Sequence, residues 1–167
     1  MKFRYCPYCG SKLIKKEIGD EGLVPFCGKC NLPLFDLPVS CTIILVLNEY
    51  NEAVLIKQSH GNKNYGCVSG YMKIGESAEE CAAREVEEEL GIKPCEIEYV
   101  NSYTFNKKEM IMLGFMARVR KAEFVLSDEV ESAEWFNIEE ARENLREATV
   151  ARKLVENCIE RICESSD

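Results

Sequence analysis

The fold of this chain is decided by residues 70–92, which read GYMKIGESAEECAAREVEEELGI. Ser77 is a residue type that caps helices, and Glu80, three residues later, completes a capping box. Gly91 follows the last helical apolar position, where glycine commonly ends a helix. These signals predict a helix over Ser77–Leu90.

Three glutamates of the predicted helix share one side of it. At about 100° per residue, Glu85, Glu88 and Glu89 fall within one arc of the helix surface. Like charges at this spacing repel, so the arrangement is unfavourable unless a cation is bound there. Carboxylate ligands without histidine favour Mg²⁺ or Mn²⁺ over zinc. The alternative is a solvated acidic helix face. The neighbouring arc is apolar and would pack on a sheet: Ala82, Ala83, Val86 and Leu90.

The spacing of residues 70–92 resembles the Nudix box. That motif has Gly, five residues, Glu, seven residues, Arg-Glu, an apolar residue, any residue, Glu-Glu, any residue, Gly and an apolar residue. Every specified place is filled here, by Gly70, Glu76, Arg84, Glu85, Val86, Glu88, Glu89, Gly91 and Ile92. The resemblance implies a metal-dependent hydrolase that splits a diphosphate bond in a nucleotide-type substrate. It also implies an α/β fold, an α/β/α sandwich with a mixed sheet.

The resemblance further implies a role for each polar residue of the box. Glu76 would lie near the metal ions as a ligand or helper, and Arg84 would hold the neighbouring carboxylates by ion pairs. A carboxylate would accept a proton from the attacking water, and the motif leaves open which one. The metal ligands would be Glu85, Glu88, Glu89 and the main-chain carbonyl of Gly70.

Two Cys-x-x-Cys pairs near the N-terminus predict a zinc ribbon. Cys6-Pro-Tyr-Cys9 and Cys27-Gly-Lys-Cys30 are separated by 17 residues. Four thiolates make a closed tetrahedral site, so the Zn²⁺ is expected to be structural. Free reduced cysteines or a redox pair are the alternatives. We expect a zinc ribbon over residues 1–36 and a catalytic domain over residues 37–167.

The charge of the chain is unevenly distributed. The net charge is −8, yet residues 1–35 carry six lysines and arginines against three acidic residues. The mildly basic ribbon is therefore a candidate for nucleic-acid binding, as an added role. No apolar run approaches the roughly 20 residues that span a bilayer. The N-terminus lacks the apolar core of a secretory signal, and a cytoplasmic location is expected.

Strand-like and helix-like runs flank the box. Residues 40–47 and 52–58 read as a hairpin, and a Gly- and Asn-rich loop is predicted over Ser59–Ser69. Two further strands are predicted over 96–105 and 110–120. Closing helices are predicted over 137–145 and 149–162. Strands and helices mixed in this order favour a sheet layered between helices.

A zinc ribbon directly before a Nudix domain resembles the NADH pyrophosphatase family. Met112-Leu-Gly-Phe115 and Glu134-Trp-Phe136 match segments of that family. By position in the resemblance, Glu129 would be a further metal ligand from outside the box. Thr149-Val-Ala151-Arg152 lies where that family closes its substrate pocket, which makes Ala151 a candidate substrate contact.

One segment departs from that family. The family has Ser-Gln-Pro-Trp-Pro-Phe-Pro ahead of its Met-Leu-Gly-Phe, and this chain has Ser102-Tyr-Thr-Phe-Asn-Lys-Lys108. That family segment marks NAD(H) preference, so the departure bears on the substrate. Tyr103 and Phe105 are candidates to stack on a base, and core-facing strand residues are the equal alternative.

These observations lead to one expected function and its rivals. An NAD(H)-type dinucleotide is the first substrate expected, followed by ADP-ribose or another ADP-linked compound. The resemblance also allows removal of an NAD cap from RNA, and a homodimer is expected. The rival from another class is a non-catalytic module that senses a nucleotide, with its ribbon docked on nucleic acid or protein. An intact box favours the enzyme.

Overall fold

A computed structural model describes residues 3–61 and 63–164 of the chain. The chain divides into two compact units between Pro38 and Val39. Across the described residues, none of the helices has the length and apolar character needed to cross a membrane.

The first unit is a three-stranded antiparallel sheet. Its strands are β1 (Ile14–Glu17), β2 (Leu23–Cys27) and β3 (Leu32–Pro33), in the order β1-β2-β3. A short 3-10 turn over Gly19–Glu21 joins β1 to β2. Few side chains are buried, so the apolar core is too small to supply much stability by itself. The buried residues are Cys6, Val24, Phe26, Cys27 and Leu34.

The second unit contains a six-stranded mixed sheet. Its strands are β4 (Val39–Leu47), β5 (Glu52–Gln58), β6 (Val68–Tyr71), β7 (Glu96–Phe105), β8 (Met110–Arg118) and β9 (Val130–Asn137). The central strand β4 runs parallel to β8, while the other pairs are antiparallel. The order is β7-β8-β4-β5-β9, and β6 pairs with β4. The mixed sheet predicted from the sequence is therefore confirmed.

Three helices cover the two faces of this sheet. Helix α1 (Ala78–Leu90) packs on one face, and α2 (Ile138–Asn144) and α3 (Val150–Glu164) pack on the other. Alternate residues of β4 enter different cores: Ile43 and Leu45 face α3, whereas Ile44 faces α1. Both faces are buried, so β4 is apolar along most of its length. The predicted α/β/α sandwich is confirmed.

In the second unit, strands β6 and β9 lie where the sequence predicted none. The predicted loop over Ser59–Ser69 is wrong at its end, because β6 begins at Val68 and pairs with β4. The second strand that was not predicted is β9, which pairs with β5 in antiparallel orientation along Glu52–Gln58. It is the outer strand beside β5 and carries polar residues, so its sequence gives little of the apolar alternation that marks a strand.

Candidate active site

Helix α1 is fixed at both ends by the residues that predicted it. The Ser77 hydroxyl accepts a hydrogen bond from the Glu80 amide at 3.2 Å, and the Glu80 carboxylate accepts one from the Ser77 amide at 2.7 Å. Gly91 has φ 70°, and its amide donates to the Glu87 carbonyl. The predicted capping box and glycine end are confirmed. Val86 and Leu90 are fully buried, which sets the rotation of the helix against the sheet.

The three glutamates on this helix differ in burial. Glu85 and Glu89 are only 9% and 3% exposed, whereas the Glu88 side chain is 52% exposed. A solvated acidic face therefore does not describe Glu85 and Glu89. Burial, together with the nearby charge of Glu85, raises the pKa of Glu89 to about 8. The Oε2 atom of Glu89 is buried and has no hydrogen-bond partner among the described residues. A buried, unpartnered carboxylate oxygen is unfavourable without a cation or a proton.

Arg84 joins three carboxylates into one cluster. Its Nη1 atom donates to Glu85 Oε1 at 2.5 Å and to Glu88 Oε2 at 2.9 Å. Its Nε and Nη2 atoms donate to the two oxygens of Glu76 at 2.9 and 2.8 Å. Hydrogen bonds from Arg84 hold the pKa of Glu76 at about 2, and the carboxylates in turn raise the pKa of Arg84. Because one cationic nitrogen contacts both Glu85 and Glu88, those two carboxylates are close enough to share a cation.

Gly70 lies against the Glu85 carboxyl group. A Cβ atom built on Gly70, in β6, would be 1.9 Å from the carboxyl carbon of Glu85. Only glycine therefore permits this approach between β6 and α1. The preceding residue, Ser69, hydrogen-bonds Glu89 through its backbone. Strand β6, which the sequence analysis did not predict, thus positions the two buried glutamates.

Glu129 approaches the cluster from a loop that is attached to the end of α1. The amides of Val125 and Ser127 donate to the carbonyls of Leu90 and Glu89, at 2.9 and 3.3 Å. These bonds satisfy carbonyls at the end of the helix that have no helical partner. Glu129 is exposed, and its charge contributes to raising the pKa of Glu89.

The glutamates line a cleft of about 820 Å³. Its remaining lining is partly apolar, from Phe105, Met110 and Met112, and partly cationic, from Lys73 and Lys108. The sequence predicted Phe105 as a substrate contact but did not single out Lys73 or Met110. For Met110 the signal lay in strand pairing, since this residue lies opposite Phe105. The acidic lining consists of Glu85, Glu88, Glu89, Asp128 and Glu129.

Two predicted substrate contacts do not line this cleft. The Tyr103 ring packs against the core beneath α3, and its hydroxyl donates to Asn157 Oδ1 at 2.7 Å. A Cβ on Gly114 would be 2.7 Å from the Tyr103 ring, so glycine at this position makes room for it. Ala151 also packs against this core. The core-facing alternative describes Tyr103 better than base stacking does.

The four cysteines of the first unit form a cluster suited to zinc. Their sulfur atoms all lie within 4.8 Å of one another, and two of the separations are 3.5 and 3.9 Å. Sulfurs bound at about 2.3 Å to a tetrahedral zinc lie roughly 3.8 Å apart, so the cluster fits that ion. Hydrogen bonds with Ser11 lower the pKa of Cys9 to about 6, whereas the hydrogen bond with Cys9 raises the pKa of Cys30 to about 12. The members are Cys6, Cys9, Cys27 and Cys30.

No other group of three candidate ligands in the described part of the chain is gathered as tightly as the cysteines. Among the described residues, the carboxylates of α1 do not form such a group of three, although Arg84 Nη1 brings oxygens of Glu85 and Glu88 close together. The metal-binding roles of these residues and of Gly70 and Glu129 therefore stay predictions.

Comparison with known proteins identifies the family. A family profile described as "NUDIX domain" matches residues 37–158. The chain belongs to the Nudix family. Among solved structures, a NUDIX hydrolase from Nitrosomonas europaea superposes with a TM-score of 0.76 at 22% identity, covering 92% of this chain and 88% of that one. The NUDIX domain of Shewanella oneidensis NrtR, complexed with ADP ribose, superposes with a TM-score of 0.67 at 15% identity, covering 82% and 94%. These likenesses concern the fold.

Curated relatives of this Nudix chain share one description. A protein of Vibrio atlanticus named "NAD-capped RNA hydrolase NudC" is 28% identical over 98% of this chain and 60% of its own length. A protein of Pseudomonas entomophila with the same name is 31% identical over 92% of this chain and 55% of its own length. The chain thus spans between half and two thirds of the length of these relatives.

Proposed function

We propose that this Nudix protein hydrolyses a diphosphate bond in a nucleoside diphosphate linked to another group. The observation that carries the proposal is the buried Oε2 atom of Glu89, which has no partner among the described residues and lies beside the carboxylates that Arg84 holds. These groups line one cleft together with an apolar surface at Phe105, Met110 and Met112. A nucleotide diphosphate needs both features, a site for its charge and a surface for its base.

The residues that would hold Mg²⁺ or Mn²⁺ are those of the acidic lining. Glu85, Glu88 and Glu89 would be ligands from α1, with the Gly70 carbonyl and Glu129 added from either side. Oxygen-only donors suit these hard cations. Bound cations would neutralise the diphosphate and lower the pKa of a coordinated water.

The chain's own residues would prepare the site for reaction. Arg84 limits the freedom of Glu85 and Glu88, so that little reorganisation is needed when substrate enters. Glu76, held by both Arg84 and the Lys73 amide, anchors that arginine. A carboxylate of the cluster would accept the proton of the attacking water.

An NAD(H)-type dinucleotide is the first substrate class that we propose. The shared name of the curated relatives supports it, and NAD-capped RNA is then a further candidate substrate. The altered segment over 102–108 places Phe105 and Lys108, rather than a proline-rich strand end, in the cleft. That difference keeps ADP-ribose and other ADP-linked compounds as the second class.

We also propose that the ribbon over residues 1–36 holds a structural Zn²⁺ through its four cysteines. The small buried core of this unit supports the proposal, because metal binding would add the stability that packing lacks.

The expected homodimer stays a prediction that size-exclusion chromatography with light scattering would test.

Turnover of a substrate panel tests the proposed activity. The panel consists of NADH, NAD⁺, ADP-ribose, a diadenosine compound and a nucleoside triphosphate, each with Mg²⁺ or Mn²⁺.

Glu88→Gln should lower kcat by about 100-fold or more, since it removes one charged ligand from a site that stabilises developing charge. Glu87→Gln is the matched control, because Glu87 is exposed on the same helix and does not line the cleft.

The outcomes separate the proposed enzyme from its rivals. Turnover of ADP-ribose with NADH untouched would contradict the first substrate class only. Tight binding of a panel member with no turnover would favour the sensing module. Full activity of Glu88→Gln would contradict the role assigned to that carboxylate.

A further inference from the structure

We propose that the ribbon unit binds single-stranded RNA through five exposed side chains at its cysteine end, which we call the knuckle surface: Arg4, Tyr5, Tyr8, Lys12 and Lys29. The inference deepens the proposed function by adding a binding site for part of the substrate. It rests on that function in one respect: the RNA would be the part of a capped substrate that extends beyond the diphosphate.

The cysteine cluster brings two parts of the knuckle surface together. Tyr8 lies in the turn over residues 6–9, and Lys29 lies in the turn over residues 27–30. Sulfur atoms of the two turns approach to 3.5 and 3.9 Å, so the turns are neighbours. The cluster therefore makes neighbours of the turns that carry Tyr8 and Lys29, although 21 positions separate these two residues in the chain.

A short antiparallel bridge adds the remaining members. Tyr5 pairs with Lys12, and the Leu13 amide donates to the Arg4 carbonyl at 3.1 Å. Residues directly opposite in an antiparallel pair have neighbouring side chains. A second ring and a second ammonium group thus lie side by side immediately before and after the first cysteine turn.

The two rings are accessible to a ligand. Tyr5 is 60% exposed and Tyr8 is 75% exposed, although burial of such a ring would normally stabilise the protein. Exposed aromatic rings beside cations are the arrangement on which proteins stack the bases of single strands, since every base has a π-face.

Charge is segregated along the ribbon. Residues 3–12 and 27–35 include Arg4, Lys12 and Lys29 and no acidic residue. Three acidic residues, Glu17, Asp20 and Glu21, lie at the other end of the β1–β2 hairpin, where Glu17 pairs with Leu23. The fourth acidic residue of the ribbon, Asp36, lines the same pocket as Glu21 and Leu23. Three strand rises separate Ile14 from Glu17, so the two ends of β1 are about 10 Å apart. The knuckle surface is therefore a local cationic area in a chain whose net charge is −8.

Single-stranded RNA fits this surface better than an acidic protein does. An acidic segment would satisfy the cations but would leave two tyrosine rings without a specific partner. A single strand offers phosphates to the cations and unstacked bases to the rings, whereas the bases of a duplex are already stacked.

Binding of an uncapped RNA to the full chain tests the inference independently of catalysis. The probe is a fluorescein-labelled single-stranded RNA of about 12 nucleotides with a 5′-hydroxyl, a length within the usual footprint of single-strand-binding proteins. Anisotropy is measured on the zinc-loaded protein without added magnesium. The Tyr5→Ala/Tyr8→Ala variant should bind at least about 10-fold more weakly, since one lost stack weakens binding by that factor. The Tyr5→Phe/Tyr8→Phe variant keeps both rings and should bind as the original chain does.

Salt dependence tests the cations separately. In the Lys12→Gln/Lys29→Gln variant, the slope of log K against log salt should become shallower by about 1.4, since each phosphate contact to a single strand contributes about 0.7. Leu23→Ala is the control, because Leu23 is 67% exposed at the other end of the hairpin, and its affinity should be unchanged. Zinc content is measured for every variant. If the alanine variant loses zinc, the lysine variant decides the outcome.

Several results would overturn the inference. They are an unchanged affinity in the alanine and lysine variants, equal binding of a duplex of the same sequence, and displacement of the RNA by polyglutamate at equal charge. The last result would favour an acidic protein partner. Hydrolysis of NADH by the unmodified chain is measured in parallel. Hydrolysis without RNA binding refutes only this inference, and RNA binding without hydrolysis refutes only the proposed function.

Discussion

Replacement of Gly70 with alanine is expected to reduce activity while leaving the fold stable. The new Cβ atom would be 1.9 Å from the carboxyl carbon of Glu85, and ordinary contact requires about 3.4 Å. The carboxyl group must therefore move by about 1.5 Å, which breaks its 2.5 Å hydrogen bond with Arg84. A displacement of about 1 Å at a reacting centre can lower the rate about 100-fold, and we expect at least that loss of kcat.

The stability of the second unit should change little in this variant. The atoms that clash are the end of a flexible side chain, and alanine is favoured over glycine within a strand by roughly 0.5–1 kcal/mol. We expect the free energy of unfolding to change by no more than about 1 kcal/mol. Trp135, the only tryptophan of the chain, lies in this unit, so its fluorescence during urea unfolding gives that value.

The matched control for Gly70→Ala is Gly66→Ala. A Cβ atom on Gly66 would meet nothing within 4 Å, so this substitution adds the same methyl group without a clash. Its kcat should equal that of the original chain. Activity of Gly70→Ala within a factor of a few of the control would refute the argument that Gly70 sets the position of Glu85.

Three further predictions follow from the pKa of a buried acid, from a buried hydroxyl and from the cysteine cluster. Without added divalent cations, the urea concentration at the unfolding midpoint, reported by Trp135, should decrease as the pH rises from about 5 to about 8. The reason is that the pKa of Glu89 is raised from 4.5 to about 8, so in this range the native state holds a proton that the unfolded chain releases. Glu89→Gln should remove this slope, and a slope that persists would contradict the assignment. Tyr103→Phe should lower the unfolding free energy by about 1 kcal/mol through loss of the bond to Asn157, whereas a raised KM at unchanged stability would restore a substrate role for Tyr103. Cys27→Ser should lower zinc content below one ion per chain and increase amide exchange in β1 and β2, and full zinc retention would count against a four-cysteine site.

The part of the fold that the sequence predicted best depends on local signals. Ser77, Glu80 and Gly91 act through hydrogen bonds within a few residues of themselves, so the bounds of α1 could be predicted from a short stretch. The zinc ribbon could be predicted for a similar reason, because zinc sites impose a characteristic spacing on the two cysteine pairs. The predicted run over 96–105 also coincides with β7.

The parts that were not predicted depend on distant partners. Strand β9 is a strand because β5 pairs with it, and its sequence alone gives a weak signal. Glu89, unlike Glu88, is contacted by the backbone of Ser69 in β6, and the first two residues of this strand were predicted as loop. Tyr103 and Phe105 lie two apart on one strand, yet Tyr103 packs against the core and Phe105 lines the cleft. Their positions relative to α3 decide this, and such positions are a property of the packed sheet.

Manganese binding measures the central claim most directly, since the claim is that the carboxylates of α1 hold divalent cations. Electron paramagnetic resonance distinguishes free from bound Mn²⁺ without any substrate. The original chain should bind Mn²⁺, the Glu87→Gln control should bind it equally, and Glu89→Gln should weaken binding by at least about tenfold, since even residues behind the ligands change affinity by that factor. No binding by the original chain, or equal binding by Glu89→Gln, would contradict the account.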